Sequence, residues 1–384
     1  MRIAHVVPDV GPDDGRGRAV LEVARRQRDQ GNEVHLVVAR GESEGGMTMH
    51  RIAIPRRPWS FSTVLFAIRA AQRVRGLRRR DEVDVVHAHV PVCVRADVVT
   101  CHGLPRGAMV RAAGSLGLAQ ELGFRTKDME RVKALLPLLE WNLRSEATEV
   151  VALHDEAAHE LTVLADVPED RITVIPNGVD GDRFERGALL ALGEEVRRRL
   201  ALDGPTLLFV GHDFKRKGLA LVLRALARLG EPCPHLLVVG SDPHDTSVLR
   251  RFQEMVRTLG VGERVHFLGS VEEVRGVYGA ADLFVLPSAY EGMCLAVLEA
   301  MSASLPVVGT DASLPESLRC GGTVAVQHDA GEIARAVAHW LSDEPARLAA
   351  GRAARERASE FTWESHAESL ATLYRRALDF QSRH

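Results

Sequence analysis

Short apolar runs alternate with glycine-containing loops and helical stretches along the whole chain. Ile3–Pro8 is the first such run, and Asp9–Arg18 follows it as a loop holding Gly11, Gly15 and Gly17. Ala19–Gln30 has helical spacing, with Leu21, Val23 and Ala24 on its inward side. Gly31 is placed to cap that helix, and Glu33–Ala39 reads as a second strand. Strand, glycine loop, helix and strand make a βαβ unit, which implies a parallel sheet. Further strands are predicted at Met49–Ile54, Val83–His87, Val98–Cys101 and Val150–Leu153, with helices near Thr63–Arg80 and Lys127–Ser145. Arg171–Phe184 breaks the rhythm with Pro176 and two glycines, and reads as the approach to a linker ending near Gly204. A second series follows, with strands at Thr206–Val210, His235–Val239, Arg264–Leu268, Leu283–Leu286 and Pro306–Val308. Two consecutive series of similar size predict an α/β fold of two doubly wound, Rossmann-like domains whose parallel sheets face a central cleft. The expected division is residues 1–185, residues 186–362, and a last helix in 363–384 that folds back onto the first domain.

A length of 384 residues suits two domains of roughly 150–200 residues each. Apolar residues make up 46% and charged residues 26%, a soluble globular composition, and a net charge of −3 gives no reason to expect a nucleic-acid partner. Cys93, Cys101, Cys233, Cys294 and Cys320 are odd in number and widely spread, with no Cys-x-x-Cys pair. That favours a reducing, cytoplasmic setting over a disulfide framework or a zinc site. The opening MRIAHVVPDVGP lacks the features of a signal peptide, and no run reaches the ~18 apolar residues that span a bilayer. Gly45–Arg80 carries nine arginines and no acidic residue, together with Trp59, Phe61 and Phe66. Arg51–Arg80 could therefore meet an anionic membrane peripherally, bind an anionic acceptor, or be a solvated face.

The strongest chemical signal is SAYEGMCLAVLEAM, Ser288–Met301, where seven residues separate Glu291 from Glu299. Glu291 falls in a strand-to-helix loop at the carboxyl edge of the sheet, where open α/β sheets bind ligands. Gly292 allows close backbone approach, and the amides of Met293, Cys294 and Leu295 are candidate donors to a phosphate or sugar oxygen. Glu299 lies within the helix among apolar residues and needs partners; a ribose diol could supply two hydrogen bonds, and a structural ion pair would explain the spacing equally well. A second signal is LLFVGHDFKRKG, in which Lys215, Arg216 and Lys217 precede a helix opened by Gly218. Cations there oppose the helix dipole but suit a diphosphate, the alternative being a solvated basic turn. His102, in TCHG, follows a strand and could meet a sugar hydroxyl or be structural. His87 and His89 share a strand face but show no third metal ligand, which favours a structural role. Asp180-Gly181-Asp182 has an Asp-x-Asp pattern, yet its setting after PNGV reads as turn chemistry.

Together these stretches resemble family 4 of the retaining glycosyltransferases, which have the GT-B fold. The likeness covers nearly the whole length through the first glycine loop, VDVVHAH, TCHG, VIPNGVD, FVGHDFKRKG, VHFLGS, AADLFVLPSAYEGMCLAVLEAM and LPVVGT. FVGHDFKRKG looks nearest to glucosyltransferases of the lipopolysaccharide core. The resemblance implies that Lys217 holds the donor diphosphate, Glu299 binds the ribose hydroxyls and Glu291 contacts the donor sugar. It also places the amides of Met293, Cys294 and Leu295 along sugar and phosphates, His102 beside the sugar, the strand end near Leu268 against the base, and Gly15 and Gly17 near the phosphates. Three positions depart from the family pattern. His212 replaces a common arginine, which Arg216 could supply; Cys294 and Ser304 replace glycines. The first loop also lacks paired glycines. The implied activity is transfer of a hexose-type sugar, with a UDP-sugar as the first choice of donor, to a small-molecule or lipid-linked glycan acceptor. Substitution would occur on the same face with no metal and no cofactor beyond the nucleotide-sugar co-substrate. A nucleotide-sugar epimerase or phosphorylase on the same fold, or a non-catalytic nucleotide-sugar-binding protein, is the alternative.

Overall fold

The computed structural model describes all residues except 12–14, 43–44, 56–58, 90–94, 104–142, 144, 146–147, 232, 242–246 and 384. The described chain forms two compact units: one runs to Gly178 and includes Trp363 onward, and the other is Val179–Thr362. Most of the predicted helix Lys127–Ser145, and Cys93, lie outside the described residues.

The first unit is built on β1 (Arg2–Val6), α1 (Gly15–Asp29), β2 (Glu33–Val38), β3 (Thr48–Arg51), α2 (Trp59–Arg79), β4 (Val85–Ala88), β5 (Val98–Thr100), β6 (Glu149–Ala152), α3 (Asp155–Ala165) and β7 (Ile172–Val174). Its seven strands lie in the order β3-β2-β1-β4-β5-β6-β7, and every pairing is parallel. The order reverses between β1 and β4, so the carboxyl ends of these two strands flank a crevice. Ile3, Ala4, Val6, Val85, Val86, Val150 and Val151 are fully buried, as expected of strands covered on both faces.

α1 starts earlier than its apolar spacing suggests, at Gly15. A Cβ at Gly17 would lie 2.4 Å from the Asp9 carbonyl oxygen, so this glycine lets the first turn of α1 close onto the loop behind it. α2 buries Phe66, Ala67, Ala70, Ala71, Val74 and Leu77 in the sheet core and exposes Arg69, Arg73, Arg75 and Arg79. Among its described side chains, Ile68 is the exposed apolar one beside these arginines. The described residues contain no helix long and apolar enough to cross a membrane.

The second unit contains α4 (Arg186–Leu200), β8 (Thr206–Val210), α5 (Leu219–Leu226), β9 (His235–Val239), α6 (Ser247–Thr258), β10 (Val265–Gly269), α7 (Arg275–Ala280), β11 (Leu283–Leu286), α8 (Leu295–Ser302), β12 (Val307–Gly309), β13 (Thr323–Ala325), α9 (Ala330–Ser342) and α10 (Glu344–Ala358). Its six strands are also parallel, in the order β10-β9-β8-β11-β12-β13, with the reversal between β8 and β11. α4 and α7 cross closely because both carry glycine at the contact: a Cβ at Gly193 would sit 2.3 Å from the Gly279 carbonyl carbon. Ser304, just past the end of α8, is held at φ +58, the left-handed conformation that glycine adopts without strain.

β7 and β13 are absent from the expected strands. Both are three-residue edge strands whose side chains are only half buried, so neither writes a long apolar run into the sequence. The last helix, α11 (Trp363–Arg383), belongs to the first unit. Arg376 meets Glu149 and donates to Thr173 Oγ1 at 3.1 Å; His366 Nδ1 lies 2.6 Å from the Pro176 carbonyl; Arg26 pairs with Glu364 at 2.7 Å.

Candidate active site

In the second unit the loops leaving β8 and β11 meet at the crevice. The β8 exit turns sharply: Gly211 has φ +157 and Asp213 φ +59, and Gly218 caps α5 in the left-handed region. A backbone hydrogen bond from Ala289 to the Arg216 carbonyl, 2.8 Å, ties the two loops together. The β11 exit is held from below, where Ser313 Oγ donates to the Leu286 carbonyl at 2.7 Å and Thr310 Oγ1 to the Ser288 carbonyl at 2.5 Å.

On this frame three donors converge on Oε1 of Glu291: Lys217 Nζ, Arg216 Nη1 and Ser288 Oγ, each at 2.9 Å. Arg216 is further oriented by Tyr290 O at 2.6 Å and Asp213 Oδ2 at 3.1 Å. The Lys217 side chain is 9% exposed and lies against bare Gly211, where a Cβ would come 2.1 Å from Lys217 Cδ. Burial pushes the Glu291 carboxyl up, but Arg216 and Lys217 beside it, with hydrogen bonds from Lys217 and Ser288, bring it down to about 2. Burial works to lower Lys217, yet Cys294 and Glu291 beside it leave its ammonium raised above the ordinary value. All three groups are therefore charged near neutral pH, and with the Asp213 carboxylate on Arg216 two cations face two carboxylates. Two preorganised cations at one sheet edge, one of them buried, are what an incoming diphosphate needs.

The expected arrangement is sharpened in several places. Glu291, which the resemblance puts against the donor sugar, is also ion-paired within the basic cluster. Lys215 is on the same turn but outside the ion-paired group. His212 points elsewhere, its Nδ1 3.0 Å from Ser241 O, and the guanidinium at the site is that of Arg216. Cys294 does more than offer an amide: its buried Sγ sits 3.5 Å from Lys217 Nζ. α8 begins at Leu295 with Cys294 as its cap, so the amides of Leu295 and its successors form the helix start beside Gly292 and Met293. Glu299, one turn on, is 7% exposed, and its Oε2 accepts a 2.8 Å hydrogen bond from Tyr278. Tyr278, on α7, was not anticipated; an aromatic residue in a short apolar helix carries no sign of its distant partner. Leu268 lies at the carboxyl end of edge strand β10, where the register slips between Phe267 and Gly269.

In the first unit His102 sits just beyond β5 and joins an array of buried histidines. His87 and His89 do have a third neighbour, contrary to expectation: His5, paired with His87 across β1 and β4. The ring nitrogens of His5, His87 and His89 come within 4.8 Å of one another, close enough for a metal ion. Both nitrogens of each ring, however, already have hydrogen-bond partners, which an ion would displace. The clue was His5 within the otherwise apolar run Ile3–Val7. Burial, with Arg16 adding like charge, takes His102 down to about 3, so it is neutral at pH 7. Asp180 accepts from the Arg183 amide at 3.1 Å, an ordinary turn. Gly17 has the packing role already given, and a Cβ at Gly15 would meet nothing within 4 Å.

Comparisons with known proteins agree with this architecture. Residues 14–183 match the model for Glycosyltransferase Family 4, and residues 194–357 that for Glycosyl transferases group 1. A D-inositol 3-phosphate glycosyltransferase of Mycolicibacterium smegmatis is 32% identical over 321 residues, 78% of this chain and 69% of that protein. Across such relatives the match spans from 54% to 92% of the relative's own length. WaaG, a glycosyltransferase involved in lipopolysaccharide biosynthesis, superposes with a TM-score of 0.79 at 22% identity, covering 97% of this chain and 99% of that one. Anabaena HepE, solved in complex with UDP-glucose, gives a TM-score of 0.72 at 17% identity over 100% of both chains. Two parallel doubly wound units, both family models and this degree of likeness make the chain a member of the family 4 glycosyltransferases, with the GT-B fold.

Proposed function

We propose that the protein is a retaining hexosyltransferase that uses a nucleotide-diphosphate sugar and needs no metal ion. The observation that carries this reading is the Lys217–Glu291–Arg216 cluster, two preorganised cations on one carboxylate between the ends of β8 and β11. Lys217 and Arg216 bind the diphosphate and stabilise the charge that grows on it, the work a divalent cation does elsewhere. The amides of Met293, Cys294 and Leu295, leading into α8, add donors. Glu299 accepts from the ribose hydroxyls while Tyr278 holds its other side. Glu291, whose Oε2 takes none of the three converging hydrogen bonds, meets the donor sugar, and Leu268 borders the base. His102 of the first unit accepts a hydrogen bond from a sugar hydroxyl. In the reaction the bond from the anomeric carbon to the diphosphate oxygen breaks and the acceptor oxygen bonds to that carbon on the same face. The acceptor's proton passes to the departing diphosphate, so no protein nucleophile is required. The exposed arginines of α2, and the phosphorylated acceptor in the name of the Mycolicibacterium relative, support an anionic acceptor, free or at a membrane surface.

A thermal-shift panel of UDP-, GDP-, ADP- and TDP-glucose in excess EDTA tests the donor class. A saturating donor at about 100 times its Kd adds about 2.7 kcal/mol, enough to raise the melting point by roughly 5 °C. UDP-glucose is expected to be the strongest stabiliser. Stabilisation that appears only when manganese replaces EDTA would overturn the metal-free reading. Conversion of the free nucleotide sugar without any acceptor would replace the transferase by an epimerase.

A further inference from the structure

The buried polar groups of the first unit form one continuous hydrogen-bonded chain that ends at His102. Gln27, on α1, is 2% exposed and places its two amide atoms on two different branches. Its Oε1 lies 2.7 Å from His5 Nε2, and its Nε2 lies 3.1 Å from the hydroxyl of Tyr374 on α11. From His5, Nδ1 continues to His89 Nε2 at 2.9 Å, and His89 Nδ1 continues to His102 Nε2 at 3.1 Å. On the other branch the Tyr374 hydroxyl lies 2.7 Å from His87 Nδ1, and His87 Nε2 lies 2.7 Å from Thr100 Oγ1.

A neutral imidazole has one N–H and one acceptor nitrogen, so each link dictates the next. The carbonyl oxygen of Gln27 can only accept, which makes His5 the Nε2–H form and leaves its Nδ1 to accept from His89. His89 is then also Nε2–H, and its Nδ1 accepts from His102. The second branch agrees: the Gln27 amide donates to Tyr374, whose O–H is left to donate to His87 Nδ1. The 2.7 Å and 3.1 Å separations there fit an O–H and an N–H donor respectively.

We propose that Gln27, acting through His5 and His89, fixes His102 as its Nε2–H tautomer and so presents Nδ1 of His102 as a hydrogen-bond acceptor. Gln27, His5 and His89 are positioning residues; His102 is the group that meets the substrate. The rule holds only while the rings are neutral, and burial keeps them so: His5 is lowered to about 4, and His87 and His89 lie well below their ordinary value. A flipped Gln27 would reverse every proton in both branches and turn His102 Nδ1 into a donor. One amide therefore sets the polarity at the far end of a three-ring array. The functional consequence rests on the reading that His102 contacts the donor sugar; the tautomer itself does not.

The test is the nitrogen–proton correlation spectrum of the full chain labelled with 15N-histidine, which reports the protonated nitrogen of each ring. In the wild type His5, His87, His89 and His102 are expected as Nε2–H. His5→Phe removes the acceptor for His89, and Gln27→Met removes the anchor, so each should turn the single His102 form into a mixture. Turnover should fall roughly two- to tenfold, the effect of one misdirected hydrogen bond. His5→Gln can still donate to Gln27 and accept from His89, and should restore both the single tautomer and most of the turnover. If one disrupting variant fails to fold, the other and His5→Gln decide. A wild-type His102 protonated on Nδ1, or a tautomer unmoved by both disruptions, would overturn the proposal. If His102→Ala turns over like the wild type, it is the assignment of His102 to the sugar that fails, and the spectra still judge the relay.

Discussion

Lys217→Ala should lower kcat/KM roughly 100- to 1000-fold while leaving the second unit folded. The size follows from removing one preorganised cation from a charge that develops in the transition state. The survival of the fold follows from the geometry of Glu291. Its carboxylate would keep Arg216 and Ser288, both at 2.9 Å, so no buried charge is orphaned. The vacated space lies against Gly211 and Cys294, which tolerate a small void better than an unpaired anion. Steady-state kinetics with the identified donor, read beside a thermal melt, check both halves. A kcat/KM within threefold of the wild type would show that the ammonium serves Glu291 alone.

Acid should unfold the first unit well before the second. His5 and His366 are held at about 4 and His102 at about 3, chiefly by burial, and His87 and His89 are lower than the usual value as well. In the unfolded chain these rings titrate near 6.5. The unfolded state therefore binds more protons between about pH 6.5 and 4. The stabilisation is complete above that window and is lost as pH falls through it, at up to about 1.4 kcal/mol per pH unit for each ring. In the second unit half-buried His266 is lowered, chiefly by burial. Its main acid-sensitive group is Glu291, lowered to about 2, whose contribution is lost only as pH falls below the ordinary carboxyl value toward 2. Hydrogen exchange at pH 7 and pH 5 separates the units. Protection should fall sharply in β1, β4 and β5 and persist in β8, β9 and β11. Equal loss in both units would contradict the assignment.

Much of the second unit is legible in the sequence because its central strands are covered on both faces. Thr206–Val210, His235–Val239 and Leu283–Leu286 are continuous apolar runs with turn residues after them, and the strands have those bounds. Edge strands such as Thr323–Ala325 carry no such mark. The site was legible as residue types at sheet edges, since Arg216, Lys217 and Glu291 each follow a strand. That they touch was not, because contact depends on β8 lying beside β11, and 74 positions separate Lys217 from Glu291. The histidine array shows the same limit more strongly. His87 and His89 stand out in the sequence as a same-face pair and His102 separately, but the link through His5 requires β1 beside β4, and Gln27 meets Tyr374 across 347 positions. Strand order and the return of α11 are properties of packing, and no local pattern records them.

Metal-free binding of a nucleoside diphosphate by the second unit should depend on both Lys217 and Glu299. Calorimetric titration of UDP into the wild type, Lys217→Ala and Glu299→Ala, all in excess EDTA, tests it most directly. One saturable site in the wild type, weakened at least about tenfold in each folded variant, is the expected result, as for loss of a charge-assisted contact. Equal affinity in all three proteins, or no binding of any nucleoside diphosphate until a divalent metal is added, would contradict it.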